Sequence, residues 1–176
     1  MLDARLRRIV LTHWHEDDTG SAAELAARHG GGGSSAPGGG TRHPWGDGQS
    51  AAHTRGVRGA DPGDASAAPP CRVDREVGDG DVLQFGGGAV VVVPVPGHTD
   101  GPIALHLPSP GVLFTGDAFA NAGRTMLGVF NTDHVRAVAS LHRPAELETD
   151  RAVFGHGDPI PHDAAGALRA AAAATA

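Results

Sequence analysis

The sequence predicts a single layered domain of mixed α and β structure, in the α/β (α+β) class. Short runs of β-branched residues lie between glycine and proline turns, which is typical of strands. Two segments have the composition of helices, and these are interspersed with the predicted strands rather than separated from them. The length of 176 residues is sufficient for one hydrophobic core and short for two. We therefore expect one domain over residues 1–176.

The N-terminal part of the chain is predicted to form a strand, a loop and a helix. Arg8–Thr12 (RIVLT) is a short apolar, β-branched run, as found in buried strands. Gly20–His29 (GSAAELAARH) has helix-forming composition, with Thr19 or Ser21 available as the N-cap. The glycine run that starts at Gly30 is expected to end this helix.

Residues 30–70 consist mainly of Gly, Ser, Pro and Ala, and they show neither a helical nor a strand period. We predict a long glycine-rich loop, disordered or mobile. Structureless loops longer than about 12 to 15 residues are uncommon inside compact domains. This segment is therefore an unusual feature of the sequence.

The rest of the chain is predicted to begin with a β-meander, because turn residues interrupt β-branched runs at short intervals. The predicted strands are Val73–Val77, Asp79–Phe85, Ala89–Val95, Ile103–Pro108, Gly111–Gly116 and Arg151–Gly155. Val135, Val138 and Leu141 are spaced three apart, which predicts an amphipathic helix over residues 132–141 with Thr132 as its cap. An alanine-rich terminal helix is expected from about Asp163.

Composition excludes several classes of function. The formal net charge of −6 disfavours nucleic acid as a partner, because phosphate binding relies on dense positive charge. Cys71 is the single cysteine, so no internal disulfide can form, and we interpret it as an ordinary thiol. The sequence has no apolar run of about 20 residues and no signal-peptide pattern at its N-terminus. We expect a soluble, cytoplasmic protein with a small-molecule substrate and no membrane partner; the sequence does not indicate its oligomeric state.

Histidines and aspartates recur where predicted strands end. Directly after the first predicted strand, the segment LTHWHEDDTG places His13 and His15 one residue apart, so both imidazoles can point at a common position. Asp17 follows two residues later and can reach a second position nearby. Imidazole nitrogen suits zinc, and a carboxylate suits zinc, iron or manganese.

Three later strands end in the same way. His98 lies in the turn P-G-H-T-D-G, Asp117 in T-G-D, and His156 in G-H-G-D. Each therefore follows a predicted strand, and four strand ends deliver a residue of metal-ligand type. The other histidines are interpreted as surface or packing residues, with His106 and His134 as the two that could line a cleft. The pattern predicts a metal centre.

Taken together, T-H-x-H-x-D at residues 12–17, P-G-H-T at 96–99, G-D at 116–117 and G-H-G at 155–157 resemble the metallo-β-lactamase superfamily. The resemblance extends to about Pro161. It implies an αββα sandwich with two metal ions in a cleft at one edge of the sheets. The ligands it implies are His13, His15 and His98 for the first metal, Asp17 and His156 for the second, and Asp117 bridging both.

The resemblance also implies a reaction. Two zinc ions are expected, with iron or manganese as alternatives, in a hydrolase of a small ester, thioester, lactone or related substrate. A metal-bound water, with its pKa lowered from about 15.7 to about 7, would provide hydroxide at neutral pH. Asp17 would orient that hydroxide, so Asp17 and Asp117 are the predicted catalytic residues.

The sequence departs from the superfamily pattern in two places. Asp18 stands where a histidine that binds the second metal is usual, so we include Asp18 in the ligand set and expect a harder or weakly occupied second site. The superfamily usually has several strands before the His-x-His turn and another after the first helix. We therefore expect a shortened domain in which part of the first sheet is missing.

Other identities remain open at this stage. Glyoxalase-II-type thioesterases carry an extra C-terminal helical domain for glutathione, and this sequence ends too soon for one, which disfavours that identity. Quorum-signal lactonases of this fold use a tyrosine, and this chain has none. A mononuclear iron enzyme of the persulfide dioxygenase type would use His13, His98 and Asp117. The last alternative is an inactive, degenerate relic of the fold.

Overall fold

The computed structural model describes residues 6–29, 71, 73–85 and 88–175. The chain divides into two compact units, residues 1–77 and 78–176. The predicted glycine-rich loop at residues 30–70 lies outside the described residues. Among the residues that are described, no helix is both long and apolar enough to cross a bilayer.

Among the described residues of the N-terminal unit are the helices α1 (Glu16–Thr19) and α2 (Ala22–His29). Helix α1 begins directly after His15, and its first turn consists of acidic residues, where carboxylates interact favourably with the helix dipole. Helix α2 confirms the helix predicted for this segment. Its exposed face carries the pair Glu24 and Arg28 at the i,i+4 spacing.

Two predicted strands are wrong. Arg8–Thr12 and Val73–Val77 have no regular secondary structure. A β-strand is stabilised by hydrogen bonds to a neighbouring strand, and the described part of the N-terminal unit contains helices only. β-Branched composition favours an extended backbone, but it does not supply that neighbour.

The C-terminal unit is built on a five-stranded sheet with the order β1-β2-β3-β4-β7. Its strands are β1 (Val82–Phe85), β2 (Gly88–Pro94), β3 (Ile103–Leu107), β4 (Val112–Phe114) and β7 (Arg151–Val153). The first three pairings are antiparallel and the pairing of β4 with β7 is parallel. All five predicted strands in this region are confirmed; four are shorter than predicted, and β2 has the predicted length but begins one residue earlier.

A second sheet consists of the hairpin β5 (Phe119–Asn121) and β6 (Thr125–Leu127), which the sequence did not predict. Its three-residue connection includes Gly123 at a φ of 78°, and short hairpin loops commonly need glycine at such a position. This local signal was available, but the two strands are too short to show an alternating pattern.

Three helices complete the C-terminal unit: α3 (His134–Ser140), α4 (His142–Ala145) and α5 (Ala164–Thr175). The predicted cap of α3 is wrong by one residue. Asp133 is the N-cap, and its carboxylate accepts a hydrogen bond from the Arg136 amide at 2.9 Å. Asp and Thr are both good N-caps, but the Thr132 hydroxyl is used elsewhere, donating to the Gly97 carbonyl at 3.3 Å.

The hydrophobic core of this unit lies between the five-stranded sheet, the hairpin and helices α3 to α5. Leu113 of β4, Phe119 of β5, Leu141 after α3 and Leu168 of α5 are fully buried members of one cluster. This packing fixes the strands, and therefore the loops that leave them.

Candidate metal centre

Three of the predicted ligands follow strands that terminate at the same end of the five-stranded sheet. Strand β2 is antiparallel to β3, β3 is antiparallel to β4, and β4 is parallel to β7. Strands β2, β4 and β7 therefore run in the same direction. His98, Asp117 and His156 lie in the turns that follow their carboxyl ends, so the topology itself gathers these residues.

The side chains of these three residues converge on one carboxylate oxygen. The Nε2 atom of His98 lies 3.5 Å from Asp117 Oδ2, and the Nε2 atom of His156 lies 3.2 Å from the same oxygen. His98 and Asp117 are buried, whereas the side chain of His156 is 52% exposed. The three side chains therefore form a group in which two members are buried and His156 is accessible to solvent.

These separations fit a transition-metal centre. Zinc binds histidine nitrogen at about 2.0 to 2.1 Å and carboxylate oxygen at about 2.0 to 2.2 Å with tetrahedral geometry, which places neighbouring donor atoms about 3.3 to 3.5 Å apart. The two observed nitrogen to oxygen distances, 3.2 and 3.5 Å, are close to that range. One oxygen within reach of two imidazoles also has the position that a bridging carboxylate needs. The donor set and its spacing therefore suit zinc or iron.

The turn that carries His98 is held by the loop before α3. The Thr132 amide donates to the His98 carbonyl at 3.1 Å, and the Asp133 amide donates to the Gly97 carbonyl at 2.9 Å. Gly97 has a φ of 127°, and a Cβ there would lie 2.1 Å from the backbone nitrogen of Ala137. Only glycine allows this close approach of the turn to α3.

The turn that carries Asp117 is connected to the end of β7. The Thr115 amide donates to the Val153 carbonyl at 2.8 Å, and the Gly155 amide donates to the Gly116 carbonyl at 3.1 Å. These bonds continue the parallel pairing of β4 and β7 past the ends of the strands. The backbones leading to Asp117 and His156 are therefore fixed relative to each other.

The N-terminal unit brings together a second group of predicted ligands. His13 Nε2 lies 3.2 Å from Asp18 Oδ2, and the rings of His13 and His15 are edge-on with centroids 4.9 Å apart. The Thr12 hydroxyl is 3.0 Å from His13 Nδ1. A partner on Nδ1 leaves Nε2 as the atom directed at a metal. Asp17 is exposed in the first turn of α1.

Other interpretations of the sequence can be compared with the structure. His106 is buried in β3, and its Nε2 atom lies 3.3 Å from the Glu148 carbonyl, which is a packing role. Burial, with a smaller effect of Asp74, raises the pKa of the Cys71 thiol, so this thiol is protonated at neutral pH.

Sequence reasoning did not identify Asn121, Gly128 or Asp133. These residues contact the turns that carry the ligands from distant positions in the sequence, so only the tertiary structure shows their contacts.

Comparisons with known proteins agree with this geometry. The sequence profile described as the metallo-beta-lactamase superfamily matches residues 2–156. A hydroxyacylglutathione hydrolase from Fuscovulum blasticum is 31% identical over 153 residues, covering 86% of this chain and 49% of the relative. The chain therefore spans about half the length of that relative.

Two solved structures show the same fold. A metallo-beta-lactamase from Pontibacter korlensis has a TM-score of 0.60 at 20% identity, covering 93% of this chain and 66% of that one. The protein TTHA1623, crystallised in a di-iron-bound form, has a TM-score of 0.57 at 26% identity, covering 84% of this chain and 68% of that one. The predicted fold class is confirmed, and its two sheets are partly present among the described residues.

Proposed function

The chain belongs to the metallo-β-lactamase superfamily, and we propose that it is a metal-dependent hydrolase that acts on small acyl thioesters and related esters. The observation that carries the proposal is the convergence of two imidazoles on one oxygen of Asp117, at 3.2 and 3.5 Å. Nothing in the packing of an ordinary core requires a buried carboxylate between two histidines, whereas a metal centre does.

We propose the ligand set that the pattern of the superfamily implies for this sequence. The proposed ligands are His13, His15, Asp17, Asp18, His98, Asp117 and His156. Zinc is the expected metal, because imidazole and carboxylate donors suit it. The di-iron-bound form of TTHA1623, which is 26% identical to this chain, supports the proposal of two metal positions and keeps iron as the alternative.

When bound, the metal would act as a Lewis acid and lower the pKa of a coordinated water toward 7. The protein's own residues would do the rest. The Oδ2 atom of Asp117, which lies close to both His98 and His156, would keep these two ligands at a fixed separation. Asp17, exposed in the first turn of α1, would accept a hydrogen bond from the attacking water and orient it. Water would add to the acyl carbon and the C–S or C–O bond would break, with the leaving thiol or alcohol taking up a proton lost by that water, so that a carboxylic acid is the second product.

The thioester part of the proposal rests on the relatives. The F. blasticum protein is named a hydroxyacylglutathione hydrolase, which favours a thioester substrate. This weighs against the sequence-based expectation that such an identity is disfavoured. A small-molecule substrate and a cytoplasmic location remain predictions of the sequence.

Asp18 is proposed to weaken the second metal position. Its carboxylate lies 3.2 Å from His13 Nε2, so it brings a negative charge to the ligand group at a place where the superfamily usually has a neutral imidazole. Ligand type and charge tune metal preference and affinity. We expect zinc analysis to give a tight and a weak equivalent, and Asp18→His to tighten the weak one. Two tight zinc ions in the natural sequence, unchanged in the variant, would contradict this.

The central test combines elemental analysis with a substrate panel. Purified protein is expected to retain zinc or iron and to hydrolyse S-lactoylglutathione or a simple acyl thioester faster than a lactone or lactam. Asp117→Asn should lose at least about tenfold in metal affinity and lose hydrolysis. Asp79→Asn is the matched control, since Asp79 is an exposed aspartate paired with Arg143 in the same unit; it should retain both.

The outcomes separate the alternatives. Bound iron together with oxygen uptake on a persulfide would favour the dioxygenase. Bound metal with no turnover of any substrate would favour the degenerate relic. The proposed centre would be refuted if protein purified without chelators contained no metal and also failed to bind added zinc.

A further inference from the structure

The turn that carries His156 is bound on both sides by a single residue of the neighbouring hairpin, Asn121 at the end of β5. The Asn121 amide donates to the His156 carbonyl at 3.1 Å, and the Asp158 amide donates to the Asn121 carbonyl at 3.1 Å. The side-chain Nδ2 of Asn121 also donates to the Asp158 carbonyl at 2.8 Å. Asn121 thus forms three hydrogen bonds with the residues on either side of Gly157.

The residue between these bonds has to be glycine. Gly157 has a φ of 98°, and a Cβ there would lie 2.2 Å from the Asn121 carbonyl oxygen. The two backbones are in contact at this point and form an isolated parallel bridge. The turn therefore cannot move toward the hairpin, and the hydrogen bonds prevent it from moving away.

The amide of Asn121 is itself oriented. The Thr125 hydroxyl, on the opposite strand of the hairpin, donates to Asn121 Oδ1 at 3.1 Å. With Oδ1 used in this way, Nδ2 is directed at the Asp158 carbonyl. Phe119, two residues earlier in β5, is fully buried in the core, which anchors the strand that carries Asn121.

His156 needs such support because its own packing is weak. Its side chain is 52% exposed, whereas that of its partner Asp117 is 7% exposed. A half-exposed imidazole is only partly fixed by neighbouring side chains, here by Asp117, so the position of its Nε2 atom also depends on the backbone of its turn. Residues that orient a ligand in this way typically change metal affinity by about 10 to 100-fold when they are altered.

We propose that Asn121 is a positioning residue for His156, and that its side-chain amide sets the affinity of the metal position to which His156 belongs. This inference rests on the proposed function for the presence of the metal. It concerns metal affinity, so its test does not depend on the substrate.

The experiment measures the affinities of both zinc equivalents by competition with a chromophoric chelator in three variants. Asn121→Ala and the nearly isosteric Asn121→Leu each remove the amide. Thr175→Val is the matched control, because the Thr175 hydroxyl also donates to a backbone carbonyl, that of Ala171 at 2.6 Å, and lies at the end of α5, outside the ligand turns. Thermal unfolding of the metal-free proteins reports on general destabilisation.

We expect both Asn121 variants to weaken one zinc equivalent by about tenfold and to leave the other unchanged, with Thr175→Val retaining both. A cobalt-substituted sample should show the same selective loss in its visible spectrum. Unchanged zinc affinity in Asn121→Leu would overturn the inference while leaving the metal centre in place, even if only one equivalent binds. Equal weakening of both equivalents, shared by Thr175→Val, would show general loosening and also overturn it. Failure of the natural sequence to bind zinc would remove the proposed function and this inference together.

Discussion

Replacement of Gly128 by alanine tests whether the backbone that carries Asp117 is as closely packed as the structure shows. The Gly128 amide donates to the Ala118 carbonyl at 3.0 Å. A Cβ at this position would lie 1.8 Å from the Asp117 carbonyl oxygen, and Cβ atoms essentially never approach another atom closer than 3.0 Å. The loop and the Asp117 turn would therefore have to separate by about 1.2 Å.

Two consequences of that separation can be measured. Overpacking of this kind costs about 1 to 3 kcal/mol of unfolding free energy, which urea denaturation of the metal-free protein would detect. Metal ligands are required within about 0.2 Å of their ideal distances, so a shift of Asp117 by more than that amount should weaken zinc at least about tenfold. Chelator competition gives the second value independently of the first.

Gly166→Ala is the matched control for this substitution. Gly166 lies within α5, and a Cβ there would meet nothing within 4 Å. Alanine in a helix is favoured over glycine by about 0.5 to 1 kcal/mol, so this variant should be more stable and bind zinc as the natural sequence does. If Gly128→Ala unfolded at the same urea concentration and bound zinc equally well, the described packing of this loop on Asp117 would be incorrect.

Three further predictions concern stability. The Arg143 guanidinium holds the pKa of Asp79 below its usual value of 3.8, so the pair stabilises the fold at neutral pH and this contribution is lost as the pH falls below about 4. Asp79→Asn should thus lower the melting temperature slightly at pH 7 and by less below about pH 4; an equal decrease in both conditions would argue against the ion pair. Phe130 is 87% exposed at a φ of 58°, so Phe130→Gly should raise the unfolding free energy by up to about 1 kcal/mol, and a marked loss in urea denaturation would count against it. Leu113 of β4 is fully buried, so Leu113→Ala should cost about 2 to 5 kcal/mol, and a smaller loss would mean that the core is loosely packed there.

Local sequence was sufficient to predict most of the C-terminal sheet. Strands β2, β3 and β4 follow β-branched runs bounded by glycine and proline turns, and these runs pair with one another in chain order. Similar composition at Arg8–Thr12 led to a wrong prediction, because strand formation also depends on a partner that local composition does not encode. The hairpin of β5 and β6 was missed, since three-residue strands are too short for a period to be recognised.

Three of the candidate ligands, His98, Asp117 and His156, could be predicted because each follows a strand, and strand direction is a simple property to infer. Their supporting residues could not. Asn121 contacts Asp158 across 37 positions of sequence, and Thr132 contacts Gly97 across 35. An asparagine or a threonine in a loop has no local pattern that identifies such a role, so these residues become visible only when the tertiary contacts are known.

The arrangement of the C-terminal unit indicates how its half of the centre is kept in order. His98, Asp117 and His156 are each held through backbone hydrogen bonds of their own turns, to the loop before α3, to the end of β7 and to Asn121. None of these bonds involves a metal, so the donor atoms are positioned by the fold before any ion binds. A site organised in this way depends on the glycines that permit the close backbone contacts, Gly97, Gly128 and Gly157, as much as on the ligands. Substitutions that strain these backbone contacts should therefore weaken metal binding, as substitutions of the ligands themselves do.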